Sequence, residues 1–303
     1  GDFNVTAMWV SVGLVVFTII FGTRNLDVNE RHHGVVMAIA LEAVVKLLAL
    51  LAVGVFVVWG LGGGLTKVIS QIEASEIATW EIAPSRWVAL TALSAAAFLT
   101  LPRMFQVLVV ENDDERHLRF AAWAFPTYLL LISLFIVPIA VVGRSILPEG
   151  TNPDLYVLSI PLTSGNTGLA VMSFLGGFSS ATSMVIVATL ALSTMVSNHI
   201  VMPIWLSWHG EGASVSGDVR HVVLLARRVS IGVILALGYF YYRLSGGGDA
   251  LASIGLIAFA GIAQILPALV GGLFWRGATR TGALLGVLVG FAIWLFTLLL
   301  PEL

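Results

Sequence analysis

The sequence predicts an all-α membrane protein, a bundle with about eight transmembrane helices. Three observations predict it. Hydrophobic residues fill 58% of the 303 positions and charged residues 11%, against roughly a quarter charged in an ordinary soluble domain. Mean hydropathy is +0.98, and the apolar residues fall into separate stretches, many near the roughly 20 residues that cross a bilayer. Two-residue alternation is absent and the stretches are too long for barrel strands. That leaves helices, because a closed barrel is the only other structure that satisfies its own backbone in lipid.

Hydropathy marks the spans, in order, at about 6 to 22, 35 to 60, 87 to 109, 120 to 143, 168 to 198, 222 to 242, 250 to 274 and 281 to 299. Between the second and third lies a Gly62-Gly63-Gly64 turn and an acidic segment with Glu73, Glu76 and Glu81, where a short surface helix is expected. The first, third, fifth and seventh connections hold ten of the fifteen Lys and Arg residues, Arg24, Arg103, Arg116, Arg220 and Arg276 among them, so they face the cytoplasm. Lys67, Arg86, Arg144 and Arg243 fall on the other side, and Lys46 lies within a span. After the fifth span, Trp205 and Trp208 are expected at headgroup level.

The same composition excludes several functions. Net charge is −2 with no long basic run, which argues against nucleic acid as a partner, and the absence of cysteine removes thiolate sites and cysteine nucleophiles. No Walker loop, dinucleotide fingerprint or nucleophile elbow is present, so no catalytic residue is assigned and the segment is not read as an enzyme. The six histidines sit in polar loops rather than at metal-ligand spacing. The opening Gly1-Asp2-Phe3-Asn4 lacks the basic n-region of a signal peptide and reads as the cut edge of a longer protein.

Two spans carry polar chemistry. The fifth holds more hydroxyls than a lipid-facing helix needs: at 100° per residue Thr182, Ser183, Thr189, Ser193, Thr194 and Ser197 fall within about 60 to 80° of Ser179, with Ser180 at the edge. Phe174, Ala181, Val185 and Leu192 lie opposite. Such oxygens can replace part of the water shell of a small hard cation such as Na+, or can simply let helices pack closely. The second span holds Glu42 and Lys46, four residues apart on one face with the acid first, as a helical ion pair prefers. Counting about 1.5 Å per residue from Gly34 puts them roughly 12 and 18 Å deep. There a lone charge costs at least about 2.5 kcal/mol, so the pair is either a neutral structural clamp or a group that handles substrate or protons. Pro126 and Pro138 in the fourth span, and Pro267 beside Gln264 in the seventh, each free a helical carbonyl.

At Phe178-Ser179-Ser180-Ala181-Thr182-Ser183 the fifth span resembles the helix of sodium:solute symporters that holds paired hydroxyls at the sodium site. Gln264-Ile265-Leu266-Pro267-Ala268 and the stretch Trp275 to Ala283 resemble that family's C-terminal signature region. Leu101-Pro102-Arg103-Met104-Phe105-Gln106-Val107, Val109-Val110-Glu111-Asn112, Met195 to Pro203, Gly22-Thr23-Arg24 and the Glu42/Lys46 pair look most like its CbrA-type sensor-kinase branch.

The resemblance implies a LeuT-like inverted-repeat bundle of about thirteen spans with a substrate site at mid-depth, of which residues 1–303 would form a single partial domain. The early broken helix, the last span and any kinase would lie outside it, so the segment alone is expected neither to transport nor to phosphorylate. It implies Na+ as coupling ion, with Ser179 and Ser180 on the hydroxyl pair, Ser180 as side-chain ligand and Ser183 as a weaker neighbour. It further implies an amino-acid solute such as histidine, a bacterial inner-membrane location, and a histidine kinase in the full-length protein with a response regulator as partner. A plain secondary transporter without a kinase, and a transporter-fold receptor that binds without transporting, are the alternatives.

Overall fold

The computed structural model describes residues 3–22, 33–79, 83–112, 114–209, 217–245 and 251–302. Arg24, Arg31, His32, Glu81 and Thr23 of the Gly22-Thr23-Arg24 motif lie outside the described residues. Among the described residues every regular element is a helix: α1 (Phe3–Gly22), α2 (His33–Val55), α3 (Leu65–Glu73), α4 (Pro84–Thr100), α5 (Pro102–Phe105), α6 (Arg116–Ser133), α7 (Ile136–Ile146) and α8 (Tyr156–Thr163). Then follow α9 (Thr167–Val196), α10 (Met202–His209), α11 (Gly217–Leu244), α12 (Leu251–Ala263), α13 (Leu266–Phe274), α14 (Arg280–Trp294) and α15 (Leu300–Glu302). Among the described residues seven helical stretches are long and apolar enough to cross a membrane, and an eighth forms if Pro84–Thr100 and Pro102–Val110, bent by 57°, count as one span. This is a multi-pass, all-α membrane protein.

The chain groups into two compact units: Gly1–Arg31 with Pro84–Val110 and Val185–Leu303, and His32–Ala83 with Glu111–Met184. In the second, α2 and α7 enclose a core of Val53, Val57, Val58, Ile139, Val142, Tyr156 and Ile160. Lipid tails are as apolar as these side chains, so shape fit rather than water exclusion holds them at membrane depth. The fit is close: a Cβ at Gly54 would overlap the Phe135 ring, and one at Gly143 would press on Tyr156. Phe135 reaches Gly54 because the fourth span breaks there. Pro138 cannot donate to the Leu134 carbonyl, α6 ends at Ser133, and Phe135 leaves helical geometry at φ −104°, ψ 4°.

The end of α2 widens by one residue. Gly62 N–H donates to the Val57 carbonyl five residues back, at 2.8 Å, before Gly63 (φ 72°) and Gly64 (φ 106°) turn the chain through left-handed geometry that favours glycine. That turn returns α3, the short helix expected in this segment, so that Val68 is fully buried against the core. The helix α8 is an element hydropathy does not mark; its Tyr156, Ile160 and Pro161 are buried.

In the first unit α1 packs along α11 and α12 along α4. Gly22 lies against Leu190 of α9, and Gly261 of α12 against the Trp294 indole, whose Nε1–H donates to the Ile257 carbonyl at 2.8 Å. Pro102 and Pro267 mark the breaks α4/α5 and α12/α13, whereas Pro126 leaves α6 continuous. Wide turns like that after α2 occur at three further places, Gln106–Val110, Ser197–Val201 and Leu295–Leu299.

Candidate cation site

The helix α9 runs unbroken from Thr167 to Val196, and its hydroxyl face is turned inward. Thr189, Ser193 and Ser197 are buried, while Ser179, Ser180, Thr182, Ser183 and Thr194 are half-buried. On the far side Phe174 and Ala181 are exposed, and Phe174 stacks on exposed Phe178 with ring centroids 5.6 Å apart. Val185 and Leu192 are half-buried.

The hydroxyls of the Ser179–Ser183 stretch are held loosely. Ser179 Oγ donates to the Gly176 carbonyl at 3.4 Å and Ser183 Oγ to the Ser180 carbonyl at 3.3 Å, both near the outer limit for such bonds. Thr182 Oγ1 is bound more firmly, to the Phe178 and Ser179 carbonyls at 3.0 and 2.9 Å. Among the described residues the Ser180 hydroxyl makes no hydrogen bond, so both its lone pairs are open. This donor set, neutral hydroxyls with carbonyls close by, has the chemistry that suits Na+ and can supply part of its shell.

The second group the sequence singles out lies at the same place. A Cβ at Gly176 would stand 3.0 Å from the Ala49 Cβ and 3.5 Å from the Lys46 Cα, so α9 crosses α2 one turn before Ser179 and Ser180. Glu42 and Lys46 are both half-buried on α2, and no ion pair between them closes within 4.0 Å. Between them Tyr128 of α6 donates its hydroxyl to the Ala43 carbonyl at 3.2 Å. Among the described residues no three His, Cys, Asp or Glu converge as a metal group.

Sequence reasoning did not find a cavity in the first unit. It has a volume of about 620 Å³ and is lined by Leu101, Pro102, Tyr241, Gln264, Phe291 and Trp294, beside the break at Pro102. The Gln264 Oε1 is buried without a partner while its Nε2 donates weakly to the Ala260 carbonyl at 3.4 Å. The Gln264–Pro267 pairing is the only signal of it in the sequence.

No family model and no solved structure matches the chain. It is, however, similar to a symporter. Over 174 residues it is 28% identical to the uncharacterized symporter YodF of Bacillus subtilis, a stretch covering 55% of this chain and 32% of the relative. The match thus spans about a third of YodF. YodF is named as a symporter without a stated solute, so the likeness bears on the class of protein rather than on what it carries.

Proposed function

We propose that this chain is the membrane domain of a Na+-coupled solute symporter-type protein, with Ser179 and Ser180 in the sodium site and Ser183 beside them. The observation that carries the reading is the inward, loosely bonded hydroxyl stretch on α9, in a multi-pass chain similar to a symporter. Na+ supplies a charge that binds one conformation better than the other and so shifts the population toward the substrate-ready state. The chain's own part is to present Ser180 Oγ unbonded, hold Ser179 and Ser183 within reach, and exclude lipid from that face through the Gly176 contact with α2.

The solute of this reading is an amino acid, histidine by resemblance, and the setting a bacterial inner membrane. The same resemblance extends the full-length protein to a sensor histidine kinase with a response regulator partner. Ser180→Ala in the full-length protein should weaken the Na+ dependence of uptake far more than a change at exposed Thr163, Thr163→Ala; unchanged Na+ dependence removes Ser180 from the site. ATP-dependent phosphorylation on histidine tests the kinase extension, and its failure leaves a plain secondary transporter. Ligand binding without uptake would instead identify a receptor of transporter fold.

A further inference from the structure

The crossing of α2 and α9 sets Lys46 beside the hydroxyl stretch. Leu169, near the start of α9, packs on the core cluster that includes Val53, Val57 and Val58 at the end of α2, and Gly176 meets α2 farther back, at Lys46 and Ala49. The two helices therefore run antiparallel. Advancing four residues on α9 from Gly176 brings Ser180 to the level between Lys46 and Glu42, and seven brings Ser183 level with Glu42, at about 1.5 Å per residue. Both lie within about 40° of the direction in which Gly176 faces α2. Side chains lean toward the N-terminus of their helix, which on α2 is the direction of Ser180, so Lys46 extends along the stretch rather than away from it.

We propose that Lys46 is an affinity-determining residue of this cation site: its ammonium opposes Na+ at Ser179 and Ser180, and Glu42 one turn away offsets it. This rests on the sodium reading above. Like charges at this range in a medium far less polarisable than water repel strongly enough to change an ion's affinity on the order of tenfold. The arrangement keeps resting Na+ affinity low, so that the site empties readily once the ion has crossed.

The test is a Na+ titration of the full-length protein in detergent, read as the shift in thermal unfolding, with choline as the control ion. Lys46→Gln should lower the half-maximal Na+ concentration on the order of tenfold, Lys46→Arg should leave it at the wild-type value, and Glu42→Gln with Lys46→Gln together should return it toward wild type. Ser180→Ala should abolish the response in every background. A Lys46→Gln titration identical to wild type, with Ser180→Ala still abolishing the response, overturns the role of Lys46 and leaves the sodium site standing. No Na+ response in wild type or in Lys46→Gln overturns both. The neutral double variant keeps the charge balance of the span, so a folding defect in one single variant does not hide the result.

Discussion

Gly54 and Gly176 show how much a missing side chain decides in a helix bundle. At Gly54 the Phe135 ring fills the place of a Cβ, and at Gly176 the Ala49 methyl does so at 3.0 Å. Gly54→Ala should lower stability by about 1–3 kcal/mol, seen as a reduced unfolding temperature in detergent. Gly176→Leu should drive α9 off α2 and abolish any Na+-dependent stabilisation even though no oxygen ligand has changed. The hydroxyl residues themselves were readable in advance, because seven of them recur on one face at helical spacing and Phe174 and Ala181 fall opposite. Their nearness to Glu42 and Lys46 was not. A glycine at position 176 announces that something approaches, but not which helix does.

At the scale of elements, the eight hydropathy stretches correspond to the helices observed, because a 20-residue apolar run in lipid has little choice but to close its hydrogen bonds on itself. What hydropathy misses is where such a run bends. Pro138 and Pro267 do mark breaks, Pro126 does not, and Pro102 splits a span that reads as continuous by composition alone. The buried helix α8 is too short to register as a span. Its YVLSIPLT sequence is held by the protein core rather than by lipid. Pro102→Ala should straighten α4 into α5, measurable as a longer distance between spin labels at Ser85 and Val109. At the start of α6, Asp114 accepts hydrogen bonds from the Arg116 backbone N–H at 2.9 Å and from its guanidinium, which hold the carboxyl below its ordinary range. Its folded pKa is depressed, so its contribution is complete above the unfolded value and lost as pH falls through the folded one. Asp114→Asn should remove that acid dependence of the first turn of α6, followed by amide exchange.

For the whole molecule, the placement of basic residues predicts which loops face the cytoplasm. The chain contains no cysteine, so single cysteines can be labelled without background. In intact cells an impermeant maleimide should modify Thr151→Cys, in the loop that follows Arg144 and its ion pair with Glu76, and leave Glu115→Cys unlabelled; the reverse pattern would invert the topology. The wide turns add a different property. At Phe56–Leu61, Ser197–Val201 and Leu295–Leu299 the hydrogen bonds reach five residues back, to Val57, Ser197 and Leu295. Each such turn holds a residue more than the regular helix requires. Losing one residue there lets the helix rewind to ordinary pitch, whereas losing one elsewhere in a span rotates all that follows by about 100° and turns its lipid face to the interior. These spans therefore carry their tolerance to deletion at the wide turn, as a length of chain already set aside.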